Sequence, residues 1–460
     1  MRAFTTPVIA LTLTLASCTA GFAADITGQQ WPKRERSTIV RMDPEHLRAA
    51  AADAKRLNES RQPVALKTGL NDYKGILHAH AEDSSHTGGT RPEMLIDAKK
   101  TGVDVIMLSN HIRPPLDFIT ETWRGLHDGV LFIPGAESQR FLYYPEKSVM
   151  HRFDGSKPED EREGELLQAL EEAGGFAFLC HVESRPNYSM EGLIGQEIYN
   201  RHADAMDDIP SMMHLMRILT DTDLFAKMEP AIYENPSAFL GAQQDYQTIY
   251  INKWDTELKT MRSVGVGAND CHHNQIFIAK MFDAENVLIG TIVDKDEDMR
   301  KLPAKQVPGL EKLFEGHQPG DIVAQLNLDP YWVSFMDLST HILAPELTET
   351  AIRQALLAGH AYVSHDWLCD PRGAAVMAKS KSQTVVLGDE IPFEEGLAIH
   401  AEFPTACHVR IIKDGVLTHE AGTRQFEYAV PGPGVYRLEA WLEIDGEFRP
   451  WIYANPIYVR

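Results

Sequence analysis

The sequence predicts an α/β fold followed by a small all-β unit, on three observations. Short apolar, β-rich runs alternate with helical stretches from about residue 68 to 372, a pattern that implies a parallel sheet or barrel. From about 373 the pattern changes to short alternating strands punctuated by "KDG" and "IDG", which read as hairpin turns of a small sandwich. The chain has 460 residues, more than one hydrophobic core usually supports.

Taken in order, residues 1–24 are expected to be a secretory signal. One charge, Arg2, precedes the apolar run "PVIALTLTLA" (7–16) and a set of small residues. That run is too short to span a bilayer, and no later run is long enough, so no transmembrane segment is expected. Two exits are open. "GFAA" (21–24) suits cleavage to a soluble periplasmic or secreted protein, which is the expected outcome. "LASC" (15–18) resembles a lipoprotein box, which would anchor the chain to a membrane through Cys18. Residues 25–67 form a polar N-terminal extension with one helix expected near Pro44–Asn58.

The α/β unit, 68–372, carries the informative residues. Its β runs include "GILHAH", "VDVIMLSNH", "VLFIPGAE", "FAFLCH" and "VGVGAND". Each ends in an imidazole or a carboxylate: His78 and His80, His111, Glu137, His181, then Asp270 and His272. His86 and His151 ("KSVMH") add two more. Strand alternation puts His78 and His80 on one side of their strand. In barrels of parallel strands the C-terminal ends meet on one face, where active sites form. Imidazole and carboxylate are the ligand set for zinc, manganese or iron. A single histidine at a strand end is ordinarily a satisfied polar residue. Four or more such ends, with two acids, are another matter, because burying those rings without metal leaves unsatisfied groups at roughly 1–3 kcal/mol each.

The remaining unit, 373–460, is the expected β-sandwich. Net charge is 44 − 66 = −22, which argues against nucleic acid or an anionic membrane surface as partner. Apolar residues at 43% and charged residues at 24% are those of an ordinary globular protein. Cys369 and Cys407 could pair in an oxidising compartment. "IPSMMHLMRILTDTDLFAKM" (209–228) reads as a core or capping helix with a methionine stripe, and "DKDED" (294–298) as a solvated charge run.

In the order "HAH", "SNH", "GAE", "CHVES", "NDCH", the sequence resembles the polymerase and histidinol phosphatase (PHP) metallohydrolases. The later segments "TETAIRQALLAGHAYVSHD" and "YANPIYVR" look like its secreted branch, which contains the carbaryl hydrolases. The resemblance implies a distorted (β/α)7 barrel followed by the sandwich. It also implies a trinuclear centre of divalent transition metals (Zn, Mn or Fe). His78, His80, Glu137 and Asp270 would hold one metal. Glu137 would bridge to a second, bound also by His151 and His181, and His86, His111 and His272 would hold the third. Glu137, Asp270 and His272 would carry the catalytic role. The implied activity is hydrolysis of phosphate esters by a metal-bound hydroxide, the substrate being a small organic ester. Aryl carbamate or carboxylic ester hydrolysis is the alternative. Arg113, Arg140 and Arg185 each follow a ligand by two to four residues and are candidate phosphate clamps. His273 is a candidate substrate contact, and Glu197 in "EIYN" could orient a ligand. One departure stands out: Asn110 occupies the place where the family carries an acid before its histidine.

Overall fold

The computed structural model describes residues 36–460, apart from 85, 307–311 and 313. The expected signal segment and Cys18 lie outside the described residues. Among those described, no helix is long and apolar enough to cross a membrane.

The chain is a mixed α/β protein built on one large sheet. Its centre is made of β1 (Asn71–Ala79), β2 (Val105–Leu108), β3 (Val130–Ile133), β4 (Ala136–Glu137), β5 (Phe141–Tyr144), β6 (Phe176–Leu179), β7 (Gly195–Asn200) and β8 (Val264–Cys271). β1 runs parallel to β2 and β8, β2 to β3, β8 to β7, and β7 to β6. These strands are buried along almost their whole length, as strands covered on both faces must be.

The regular alternation implied for a (β/α)7 barrel breaks at β4, β5 and β6, which pair antiparallel. The reason is chain length. Only residues 138–140 join β4 to β5, enough for a hairpin and far too few for a helical crossover. A second irregularity is a separate antiparallel sheet that includes Ile276–Asp283, Asn286–Thr291 and Ile322–Asn327.

The first half of β1 pairs antiparallel with Ser339–Ala344, which pairs with Ala361–Ser364, which pairs with Glu447–Ala454. Hydrogen bonding therefore runs without a break from β1 into the C-terminal strands. Those strands, Ala398–Lys413, Val416–Ala429, Gly434–Ile444 and Glu447–Ala454, form the expected antiparallel array. Both expected turns are present. Asp414 and Gly415, and likewise Asp445 and Gly446, hold positive φ, the geometry that Asp-Gly supplies in a tight hairpin.

The polar N-terminal segment is not a loose extension. The helix Pro44–Glu59 is capped by Asp43 and buries Leu47, Ala50, Ala54 and Leu57. These join one core with Trp451, Phe403 and Ile452 of the C-terminal strands. Buried Arg41 pairs with buried Glu447 at 2.9 Å. The methionine-striped segment forms helices Ile209–Thr220 and Thr222–Glu234, which bury Leu215, Ile218, Leu219 and Met228. Met212 and Met213 are exposed. Cys369 and Cys407 are both buried and free.

The C-terminal strands are locked to the α/β part by a buried ion pair. Arg437, 2% exposed, reaches Asp255 on the helix Thr248–Glu257 through two contacts of 2.6 and 2.8 Å. Arg437→Ala leaves Asp255 as an uncompensated buried charge. It is expected to lower stability by about 3–5 kcal/mol, read as a shift of the urea unfolding midpoint. A loss under 1 kcal/mol would mean the pair is not a structural lock.

Candidate metal centre

Five of the central strands deliver the clustered side chains at or just past their C-terminal ends. His78 and His80 close β1, Glu137 ends β4, His181 follows β6, and Asp270 and His272 close β8. His111, just past β2, forms an isolated bridge to Glu137. The backbone is not regular there. The register slips at Leu77/Ala79, and His78, His86, His181 and Asp270 all hold positive φ. Such conformations cost of order 1–3 kcal/mol each and persist only where the surroundings impose them. Four of them fall in one small volume, around the clustered rings.

The rings gather closely. His80 stacks on His272 with centroids 3.9 Å apart and on His111 at 4.6 Å. His78 lies 5.2 Å from His80 and 5.3 Å from His181. Glu137 Oε2 is 3.3 Å from His78 Nε2, 3.4 Å from His80 Nε2 and 3.1 Å from His111 Nε2, while its Oε1 is 3.0 Å from His181 Nε2. Asp270 Oδ1 is 3.3 Å from His78 Nε2 and 3.4 Å from His80 Nε2. Three overlapping groups have ligand atoms close enough to share an ion: His80, His111 and His272; His78, Glu137 and His181; His78, His80 and Asp270.

The outer face of every ring is held. His78 Nδ1 lies 2.6 Å from Glu197, whose other oxygen accepts from the His181 amide at 2.9 Å and the Asn200 amide at 3.0 Å. Ser84 Oγ is 2.6 Å from His111 Nδ1 and 3.2 Å from His80 Nδ1, so one hydroxyl orients two rings. Glu183 meets His181 Nδ1 at 3.2 Å and is itself held by the Tyr250 hydroxyl. His272 Nδ1 faces the Asp270 carbonyl at 3.1 Å. With Nδ1 engaged, each ring turns Nε2 inward. Those of His78, His80 and His272 are buried without a hydrogen-bond partner, the first two near Glu137 and Asp270. Fixed tautomers with inward, unpartnered nitrogens are what metal ligation requires, so the residues present fit divalent metal.

Charge is divided unevenly among the rings. Burial pushes His80 down to about 4. Burial also opposes a charge on His78, but the carboxylates of Asp270, Glu137 and Glu197 outweigh it and raise its pKa. Burial likewise disfavours the charged forms of Glu137 and Asp270, yet facing histidines, His78 foremost, hold both well below the usual carboxylate range.

The other predicted residues fall in different places. His86 lies beside the cluster, 4.9 Å from His111 and from His272. Its loop is drawn in by Asn274, which donates to the His86 carbonyl at 2.9 Å. It can approach because Gly88 has no Cβ, which would stand 2.3 Å from the His273 carbonyl oxygen. His151 is exposed on the 3-10 turn Met150–Arg152, outside the three groups. Arg113 is exposed on the loop after His111. Arg140 is engaged by Glu159 at 3.0 Å and by Asp160. His273 turns to Glu93 at 2.7 Å and Asn327 at 3.1 Å. Arg185 lines a cleft of about 570 Å³ that opens over His111, Glu137 and His181.

Asn110 has its own explanation. Its Oδ1 accepts from the Ala81 amide at 2.8 Å while its Nδ2 donates to Asp83 at 3.2 Å. An aspartate here would face Asp83 with no proton to donate.

Sequence reasoning missed Ser84 and Glu183. Ser84 sits within the "HAHAEDSSH" cluster, and Glu183 within "CHVES", which were the available signals.

No protein-family model and no curated protein matches the chain. Among solved structures the chain is similar to a two-domain protein from Bacteroides vulgatus containing a predicted PHP-like metal-dependent phosphoesterase. The match has 13% identity, a TM-score of 0.33, and covers 86% of this chain and 98% of that one. The likeness is distant, and the reading of the centre rests on its own residues.

Glu137 reaches four rings, whereas His86 stands at the edge. Glu137→Gln is therefore expected to lose more metal per chain than His86→Asn after identical reconstitution, measured by elemental analysis. Equal losses would refute this ranking.

Proposed function

We propose that the protein is an exported metal-dependent hydrolase of phosphate esters, with a trinuclear centre on a distorted (β/α)7 framework. The observation that carries the reading is the convergence of inward Nε2 atoms and two carboxylates beneath an arginine-lined cleft. Divalent transition metals, when bound, would activate water and neutralise charge on the phosphoryl oxygens. His78, His80, Glu137, Asp270 and His181 would hold two ions. His111 and His272, joined by His86, would hold the third. His151 would come to this centre only by a movement of its turn.

Charge supports the choice of phosphate. Three divalent ions bring about +6, against about −2 from Glu137 and Asp270 and a further −2 from Glu197 and Glu183 behind them. The centre stays near +2, an excess that a phosphate can meet and a neutral carbamate cannot. Arg185, in the cleft wall, adds a fork that matches phosphate oxygens and favours the transition state as charge spreads over them. Glu197, Ser84 and Glu183 keep the rings in place so that no reorientation is needed during reaction. Export rests on the apolar run 7–16, with the soluble periplasmic or secreted form preferred over a lipid anchor at Cys18.

The test uses one phenol leaving group on a phosphate, a carbamate and an acetate, compared by kcat/KM with reconstituted enzyme. Phosphate is expected to be fastest. Arg185→Ala should cost the phosphate about 2–3 kcal/mol in transition-state binding and the neutral esters far less. A clear preference for carbamate would replace this reading with that of an aryl carbamate hydrolase.

A second expectation concerns the metal itself. Chelation should abolish hydrolysis and lower the unfolding temperature, because binding energy is linked to the fold. Reconstituted protein holding at most one metal per chain would rule out the trinuclear centre.

A further inference from the structure

We propose that the cleft over the metal centre is a subsite for an organic phosphate whose leaving group carries a planar ring and a second anion, with Arg162 and Phe153 binding that distal part. The inference rests on the phosphate-ester reading above and narrows its substrate class.

The cleft is lined from two parts of the fold. His111, Glu137 and His181 form its floor, with Arg185 beside them. Phe153, Gly155 and Arg162 also line it, and they come from the segment and helix after β5 rather than from the ligand-bearing strand ends. Its volume, about 570 Å³, falls within the range of small-molecule sites and exceeds what a lone phosphate would fill.

Arg162 has no acid for a partner among the described residues. It sits in the first turns of the helix Glu159–Glu172, among Glu159, Asp160, Glu161 and Glu165. Those acids are taken: Glu159 and Asp160 by Arg140, Glu161 and Glu165 by Lys157. The Arg162 guanidinium meets no carboxylate among the described residues, and its Nε is buried without a partner. Its guanidinium carbon lies 5.5 Å from the centre of the Phe153 ring. In a chain with 22 excess negative charges, a half-buried arginine without an acid is costly unless something else supplies the anion. Arg185, also in the cleft lining, likewise meets no carboxylate among the described residues.

Two free guanidiniums in one cleft provide two places for negative charge. One is beside the metal ligands, where the phosphoryl group goes. The other is at Arg162, stacked over Phe153, whose ring together with Ile112 gives the cleft apolar lining for a planar leaving group. A monoanionic or aliphatic phosphate would leave Arg162 unanswered.

The test measures binding rather than turnover. Metal-reconstituted protein is titrated calorimetrically with 4-carboxybenzylphosphonate and with its neutral twin, 4-carbamoylbenzylphosphonate, neither of which can be hydrolysed. The carboxylate is expected to bind about 10-fold tighter, the scale of one charge-assisted contact. Arg162→Gln should bring the ratio of the two Kd values close to one. Arg162→Lys, which keeps charge but not the fork, should retain part of it. Arg185→Ala should weaken both ligands alike. Equal affinities in the wild type, or a ratio untouched by both Arg162 substitutions, would overturn the proposal. Failure of the phosphate-ester reading would show separately, as no turnover of phenyl phosphate while the phosphonate ratio remains measurable.

Discussion

Glu197 is the constraint on which the site depends. It is completely buried, and a carboxylate in that position is tolerable only if its lone pairs are met. One oxygen meets the His78 ring; the other accepts the His181 and Asn200 amides. A single side chain on β7 thereby fixes the ring that ends β1, the turn that follows β6 and the cap of the next helix. The left-handed backbone at His78 and His181 is held against its own cost by the same group. The remaining rings are fixed on the same plan with weaker partners, Ser84 for His80 and His111, Glu183 for His181.

This plan resolves a conflict between burial and charge. A cluster of imidazoles pushed into a protein interior tends to lose protons, and His80 and His272 do so. Carboxylates placed among them pull the other way, and His78 and His181 gain. Neither tendency is satisfied by protein atoms alone, since inward nitrogens remain without partners. A divalent cation removes the conflict because it accepts lone pairs from neutral rings and charge from the acids simultaneously.

Much of the centre was legible because its residues are of rare chemistry and recur at strand ends. His78, His80, His111, Glu137, His181, Asp270 and His272 could be picked from apolar runs that terminate in them, and the structure brings them together. His151 could not be placed, since a loop residue's reach is not encoded in its neighbours. The surroundings of the arginines were no more legible: Arg185 lines the cleft, whereas Arg140 is held by acids. Distance in sequence from a ligand made Arg140 attractive, yet two acids on a facing helix engage it, and Arg162, on that helix, was overlooked. Parallel strands were readable from their continuous apolar character. The antiparallel turn at β4 and β5 was not, because it depends on three connecting residues rather than on pattern. The attachment of the N-terminal helix to the C-terminal strands was likewise invisible, being a contact between segments some 400 residues apart in the chain.

The two walls of the cleft differ from its floor in how they are built. The floor belongs to strand ends tied together by Glu197 and Ser84, so a substitution there disturbs several elements together. The outer wall is made by the segment around Phe153 and by one turn of helix at Arg162, neither of which is a strand of the central sheet. Over evolutionary time the outer wall can therefore drift while the floor is conserved. If the proposed hydrolysis is what this site does, descendants would be expected to diverge first in what they release, and only much later in the bond they break.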